Sequence, residues 1–234
     1  MSGRPVSGPA SSDRPLTIAL PKGRLLDRVV ELMHAAGFET GPLAEADRRL
    51  VLEEGPLRFL ICRAADVPTF VEYGAADVGV AGKDVLWEAG RDVAELVDLG
   101  IGLCRLVVAV PQASGVARVQ DLDFNSRVAT KYPRIARRYF NDQGIQVEIV
   151  PLHGNIELAP LVGLADAVVD VTETGRTLRD NGLTVIATVG ESTARLIANP
   201  VRYKIRSETI DALAAGLERA AKARREGVVM GGPA

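Results

Sequence analysis

The sequence predicts an α/β fold of parallel sheets with crossover helices, and three observations point there. Short apolar runs alternate with helical patterns from residue 16 almost to the end. The chain is 47% hydrophobic but only 4% aromatic, so its core must be built of Ala, Val, Leu and Ile. Its 23 glycines sit mostly where one pattern gives way to the next.

The elements follow in order. "LTIAL" (16–20) reads as a strand, and "RLLDRVVELMHAAG" as a helix closed by Gly37. "RLVLEE" and "RFLICR" read as a hairpin around Gly55-Pro56. A short helix with Pro68 near its start, the strand "ADVGVAG", the helix "KDVLWEAG" and the long strand "LCRLVVAVP" come next. The alternation resumes with "RVATKY", then a helix opened by Pro133, the strand "VEIVPL" and the helix "IELAPLVG". "ADAVVDV", "GRTLRDNG", "LTVIATV" and "ARLIAN" read as strand, helix, strand, strand. A final amphipathic helix starts behind Ser207 as its N-cap and carries Ile210, Leu213, Ala214 and Leu217 on one face.

Composition excludes several classes. A net charge of −2 provides no global field for nucleic acid. No apolar run reaches 18 residues, and the first fifteen residues lack the apolar segment of a secretion signal, so no membrane association and a cytoplasmic location are expected. Residues 1–15 and 228–234 read as disordered tails. Cys62 and Cys104 stand alone in apolar runs and read as free buried thiols. His34 and His153 have no partner at catalytic or metal-ligand spacing. No Ser-His-Asp order, C-x-x-C, H-E-x-x-H or Walker A pattern occurs, so no protein metal site is expected.

The chemistry concentrates in "AVVDVTETGRTL" (167–178). A strand runs through Asp170 into a polar loop and a helix start, an arrangement that leaves backbone N–H groups facing an anion. Thr172, Thr174 and Thr177 add hydroxyls, Gly175 lets the backbone come close to a phosphate, and Asp170 can accept from sugar hydroxyls. An ordinary βα loop with a threonine cap fits the same residues. Lys22 and Arg24 flank Gly23 at the end of the first strand, where cations oppose the helix dipole unless an anion binds. Lys83 and Asp84, behind Gly82, and Lys131 repeat the pattern at two more strand ends, which suggests one polyphosphate cleft. Arg48, Arg49, Arg58 and Arg63 surround the early hairpin and, taken singly, read as surface groups.

Residues 157–178 then match a known signature: Glu157, Gly163, Ala165, Asp170, Thr174, Gly175, Thr177 and Leu178 each fall in place. With "LPKGRL", "DVPTFVEYGAADVGVAGKDVL" and "ATKYPRIARRYF" in the same order, residues 16–206 resemble the ATP phosphoribosyltransferase family. The resemblance implies a two-domain, periplasmic-binding-protein-like (type II) fold with an active-site cleft between the domains. Domain I would comprise 16–107 plus 190–227, and domain II 108–189. The implied reaction is attack of N1 of ATP on phosphoribosyl pyrophosphate, with Mg2+ bound to that substrate. Thr172 to Thr177 would hold the ribose 5-phosphate, and Asp170 with Glu157 the ribose hydroxyls. Lys22, Arg24 and Arg48 would face the pyrophosphate or the ATP phosphates. Gly23, Arg63, Gly82, Lys83 and Asp84 would lie near ATP. Arg176 has no assigned role, and Glu173 is either a hydroxyl acceptor or a solvated acid. The length resembles the family's short form, which implies a homodimer and a hetero-oligomer with a regulatory, histidyl-tRNA-synthetase-like subunit. A solute receptor of the same fold, and a purine- or pyrimidine-type phosphoribosyltransferase, are the rival readings; Val171 after Asp170 breaks the paired acids of the latter.

Overall fold

The computed structural model describes residues 14–44 and 49–230, the backbone alone at Pro42, Ala44 and 228–230. Its elements are β1 (Leu16–Pro21), α1 (Arg24–Ala35), α2 (Gly41–Ala44), β2 (Val51–Glu54), β3 (Leu57–Cys62), α3 (Val67–Glu72), β4 (Val78–Gly82), α4 (Lys83–Ala89), β5 (Ala94–Asp98), β6 (Cys104–Pro111), β7 (Arg127–Thr130), α5 (Pro133–Asp142), β8 (Glu148–Pro151), α6 (Leu158–Leu161), β9 (Ala167–Thr172), α7 (Arg176–Asp180), β10 (Leu183–Ser192), β11 (Ala194–Ala198), α8 (Pro200–Ile205) and α9 (Ser207–Met230). They form two compact units. Of the described residues, one gathers those from 14 to 80, 92–97 and 196–223, the other 81–91, 98–195 and 224–230.

The first unit is built on a sheet of order β2-β3-β1-β4-β11-β5. β1 lies parallel to β3 and to β4, and all six of its residues are buried, as expected for a strand covered on both faces. β2 and β3 form the hairpin read around Gly55-Pro56. Helix α1 closes as Gly37 predicted: at φ +85° its N–H donates to His34 O, and Phe38 N–H donates to Met33 O. A carboxylate with no exposed surface, Asp77, is enclosed here. It accepts from Thr17 N at 2.9 Å and Arg206 Nη1 at 3.2 Å, pairs with Arg14, and has Arg202 Nε at 3.8 Å. Arg14, read above as part of a tail, is therefore tied to the sheet.

The second sheet has the order β10-β6-β9-β7-β8. Consecutive residues of its strands enter opposite clusters. Val107, Ala109 and Val168 pack with Ile156, Ala159 and Leu178 on one face. Val108, Val110 and Val169 pack with Ala136 and Phe140 on the other. Leu178 thus anchors α7, and with it the preceding loop, to the sheet.

The structure corrects three expectations. The sheets are mixed, since β6 runs antiparallel to both β9 and β10. β5, α8 and the single-turn α2 lie outside the elements read from the sequence. Ser207 is the first residue of α9 rather than its cap, and Ile210 N–H donates to the carbonyl of Arg206. Cys62 and Cys104 are free, as read, though only half-buried; burial pushes both thiols up to about 11, so neither is a ready thiolate at neutral pH. His34 and His153 are exposed. No helix among the described residues is long and apolar enough to cross a membrane.

Candidate active site

Asp170 lies in β9, opposite Val107 of β6, and one step beyond the Thr130–Val169 pair that joins β7 to β9. The loop that follows closes on itself. Thr172 Oγ1 accepts from Gly175 N at 2.7 Å, and Arg179 Nη1 donates to Thr174 O at 3.0 Å. Gly175 has φ +72°, a conformation that a side chain would strain. Glu173, Thr174, Arg176 and Thr177 are exposed around this frame. Arg176 turns along its own helix, its Nε 3.4 Å from Asp180 Oδ2.

The Asp170 side chain is 14% exposed. Its Oδ1 accepts from Val171 N at 2.8 Å and lies 3.3 Å from Lys131 Nζ. Burial pushes its carboxyl above the usual range, Lys131 and the Val171 N–H pull it back, and Glu157 pushes it up. A half-desolvated acid beside one cation keeps unspent hydrogen-bonding capacity, which a hydroxylated ligand can use. Glu157 stands half-buried immediately before α6.

At the end of β4, Asp84 is buried and doubly held. Ser192 Oγ donates to its Oδ1 at 2.6 Å, and Tyr132 OH donates to its Oδ2 at 3.1 Å. A Cβ on Gly82 would stand 2.3 Å from Asp84 Oδ1, so this turn needs glycine. Burial, then Asp84, push the Tyr132 phenol far above its ordinary value, so it remains a donor. Lys83 Nζ lies over the Trp87 ring, 5.7 Å from its centroid. Tyr132 and Ser192 were not singled out from the sequence. A polar residue in an apolar setting was the only available signal.

In the first unit, β1 and β3 end in register at Pro21 and Cys62, so Lys22 and Arg63 are the next residues on two adjacent parallel strands. Both are exposed, as is Arg24 at the start of α1. Gly23 joins them at φ +87°, and its carbonyl accepts from Leu26 N. Arg48 lies outside the described residues. The predicted residues therefore fall in two sets: Lys22, Gly23, Arg24 and Arg63 in the first unit; and, in the second, Gly82, Lys83 and Asp84 together with Lys131, Glu157 and 170–177, the Tyr132 phenol lying near both Asp84 and Asp170.

Two α/β units carrying such strand-end loops define a binding-protein type of architecture. The alkanesulfonate-binding protein SsuA from Xanthomonas axonopodis pv. citri superposes with TM-score 0.58 at 16% identity, over 93% of this chain and 77% of that one, a likeness of fold alone. The family is sharper. Residues 63–219 match the family model described as HisG: ATP phosphoribosyltransferase. An ATP phosphoribosyltransferase from Moorella thermoacetica is 51% identical over 212 residues, 88% of this chain and 93% of its own length. One from Sorangium cellulosum is 52% identical over 209 residues, 88% of this chain and 96% of its own. The ATP phosphoribosyl transferase (HisG:HisZ) complex from Thermotoga maritima superposes with TM-score 0.76 at 32% identity, covering 89% of this chain and 99% of that one. The chain belongs to the ATP phosphoribosyltransferase family.

Proposed function

We infer that this protein transfers the 5-phosphoribosyl group of phosphoribosyl pyrophosphate to N1 of ATP, giving N1-(5-phosphoribosyl)-ATP and pyrophosphate, the first step of histidine biosynthesis. One bond forms, from N1 to the anomeric carbon. The bond from that carbon to pyrophosphate breaks, and its electron pair leaves with the pyrophosphate. The nucleophile is a neutral ring nitrogen, so the site needs no strong base. The work is to hold two polyanions together and to stabilise a departing one. The observation that carries this reading is the self-closed loop beyond the half-buried Asp170.

In this reading the 172–177 loop takes the ribose 5-phosphate, with the Thr174 and Thr177 hydroxyls donating and Gly175 holding the turn open, and Asp170 and Glu157 accept from the ribose hydroxyls. Lys22, Arg24 and Arg48 serve pyrophosphate or the ATP phosphates, and Gly23, Arg63, Gly82, Lys83 and Asp84 line the ATP side. Among the described residues no group of three or more His, Cys, Asp or Glu side chains is gathered to hold a metal. Mg2+ would ride on the substrate and, when bound, neutralise charge on the leaving group. A homodimer, and a hetero-oligomer with a regulatory subunit that confers histidine inhibition, complete the proposal. The Thermotoga maritima HisG:HisZ complex supports the hetero-oligomer.

The test is pyrophosphate release from ATP plus phosphoribosyl pyrophosphate, with Gly175→Val beside the wild type. Turnover should need both substrates, and the variant should raise KM for phosphoribosyl pyrophosphate about tenfold or more while KM for ATP moves little. Binding of both substrates without turnover would instead favour a receptor. Equal loss for both substrates in a folded variant would remove the phosphate from this loop.

A further inference from the structure

We propose that Lys131 is a positioning residue for the transfer reaction: its ammonium holds the Asp170 carboxylate at the mouth of the 170–177 loop, in the orientation a bound ribose requires. The proposal rests on the reading above, in which Asp170 meets the ribose. Its own ground is the geometry at the end of β7. Thr130 and Val169 are paired across the parallel β7–β9 ladder, so Lys131 and Asp170 are the next residues on neighbouring strands. Their charged atoms lie 3.3 Å apart.

The lysine's backbone is held from both sides. Before it, the fully buried Thr130 donates its hydroxyl to Val169 O at 2.6 Å and accepts from Tyr132 N at 2.9 Å. After it, Tyr132 donates to Asp84 Oδ2, whose other oxygen is taken by Ser192. The side chain thus leaves a fixed point of the backbone, from which its ammonium reaches Asp170. Lys131 is itself 39% exposed, and it is the burial of Asp170, 14% exposed, that separates this pair from surface pairs open at both ends, such as Arg138–Asp142 at 3.7 Å, which contribute little.

Few other ionisable groups face Asp170. Glu157 approaches from the turn before α6 and repels it, and Tyr132 is a neutral phenol. On β6 the opposite residue is Val107. Lys131 is accordingly the cation that offsets the burial of Asp170, and removing it must raise the pH at which Asp170 takes a proton.

The experiment compares Lys131→Met, Lys131→Arg and Asp170→Asn in the assembled enzyme. Lys131→Met should lower kcat/KM for phosphoribosyl pyrophosphate by about tenfold or more at neutral pH, as loss of a charge-assisted contact does, with KM for ATP little changed. The acid limb of its pH profile should shift to higher pH, and Lys131→Arg should return it toward the wild-type position. In an Asp170→Asn background the methionine substitution should add less than about twofold. An unmoved acid limb, or two effects that simply multiply, would overturn the proposal. The carboxyl 13C titration of Asp170, with and without Lys131, reads the same pair without turnover. A wild type that releases no pyrophosphate but shows the titration shift would fail the functional reading while leaving the pair standing; no titration shift would overturn the pair itself.

Discussion

Asp77 and Asp170 are both aspartates drawn into a sheet-bearing unit, and their surroundings could hardly differ more. Asp77 has no exposed surface and is encircled by Thr17 N–H and by Arg14, Arg202 and Arg206, which arrive from both ends of the chain. Both of its oxygens are hydrogen-bonded and three guanidinium groups surround it, with no exposed surface left for a ligand. Asp170 keeps some exposure, has one lysine and one backbone N–H, and is repelled by Glu157. Its charge is under-compensated. A saturated acid holds a fold together, whereas an unsaturated one is held by the fold for use on something else.

Three substitutions test that contrast. The largest effect is expected at Asp170→Asn, where turnover should fall by about 10²–10³, as for loss of one preorganised electrostatic partner. The same change should make the protein more heat-stable at neutral pH. The sign follows from the raised carboxyl. A group whose folded pKa lies above its unfolded value contributes stability at low pH and loses it as pH rises through the folded value. The midpoints of the two proteins should then converge in acid and separate toward neutrality. A variant less stable at every pH would erase the distinction between the two acids.

Asp77→Ala should do the reverse, costing ~3 kcal/mol of stability in urea unfolding while activity per folded molecule is kept. A loss in the lower part of the range for broken buried pairs is expected, because Arg14 and Arg202 are about one-third exposed and can turn to water. The smallest effect belongs to Tyr132→Phe. It leaves Asp84 one donor short and should cost about 1 kcal/mol by the same unfolding measurement.

Much of this could be read along the chain. The loop at 170–177 is local chemistry: a strand, an acid, threonines, a glycine that must take positive φ, and a leucine that packs back on the sheet. Strand direction was not legible. An apolar run such as Val107 to Val110 reads the same either way, and its antiparallel pairing is decided by the path of the distant β10. β5 escaped notice because "AELVD" lies at a sheet edge, half-covered, with acids at two of five positions. The Asp84–Ser192 contact spans 108 residues and the Asp84–Tyr132 contact 48, so only the folded chain brings them together. Lys131 was visible as a cation at a strand end; its partner was not, until β7 and β9 were known to be neighbours.

The place of β11 has a consequence for synthesis. All five strands of the second sheet lie between residues 104 and 192, so that sheet is complete once this stretch has left the ribosome. The first sheet must wait. β11 fills the gap between β4 and β5, and behind it Asn199 donates to the carbonyls of Val71 and Glu72 while Arg202 and Arg206 reach Asp77. Until those last residues emerge, two strands made about a hundred residues earlier face an empty slot with unpaired edges. The half of the protein that is translated first is the half that closes last, and its nascent form is the one a chaperone would have to guard.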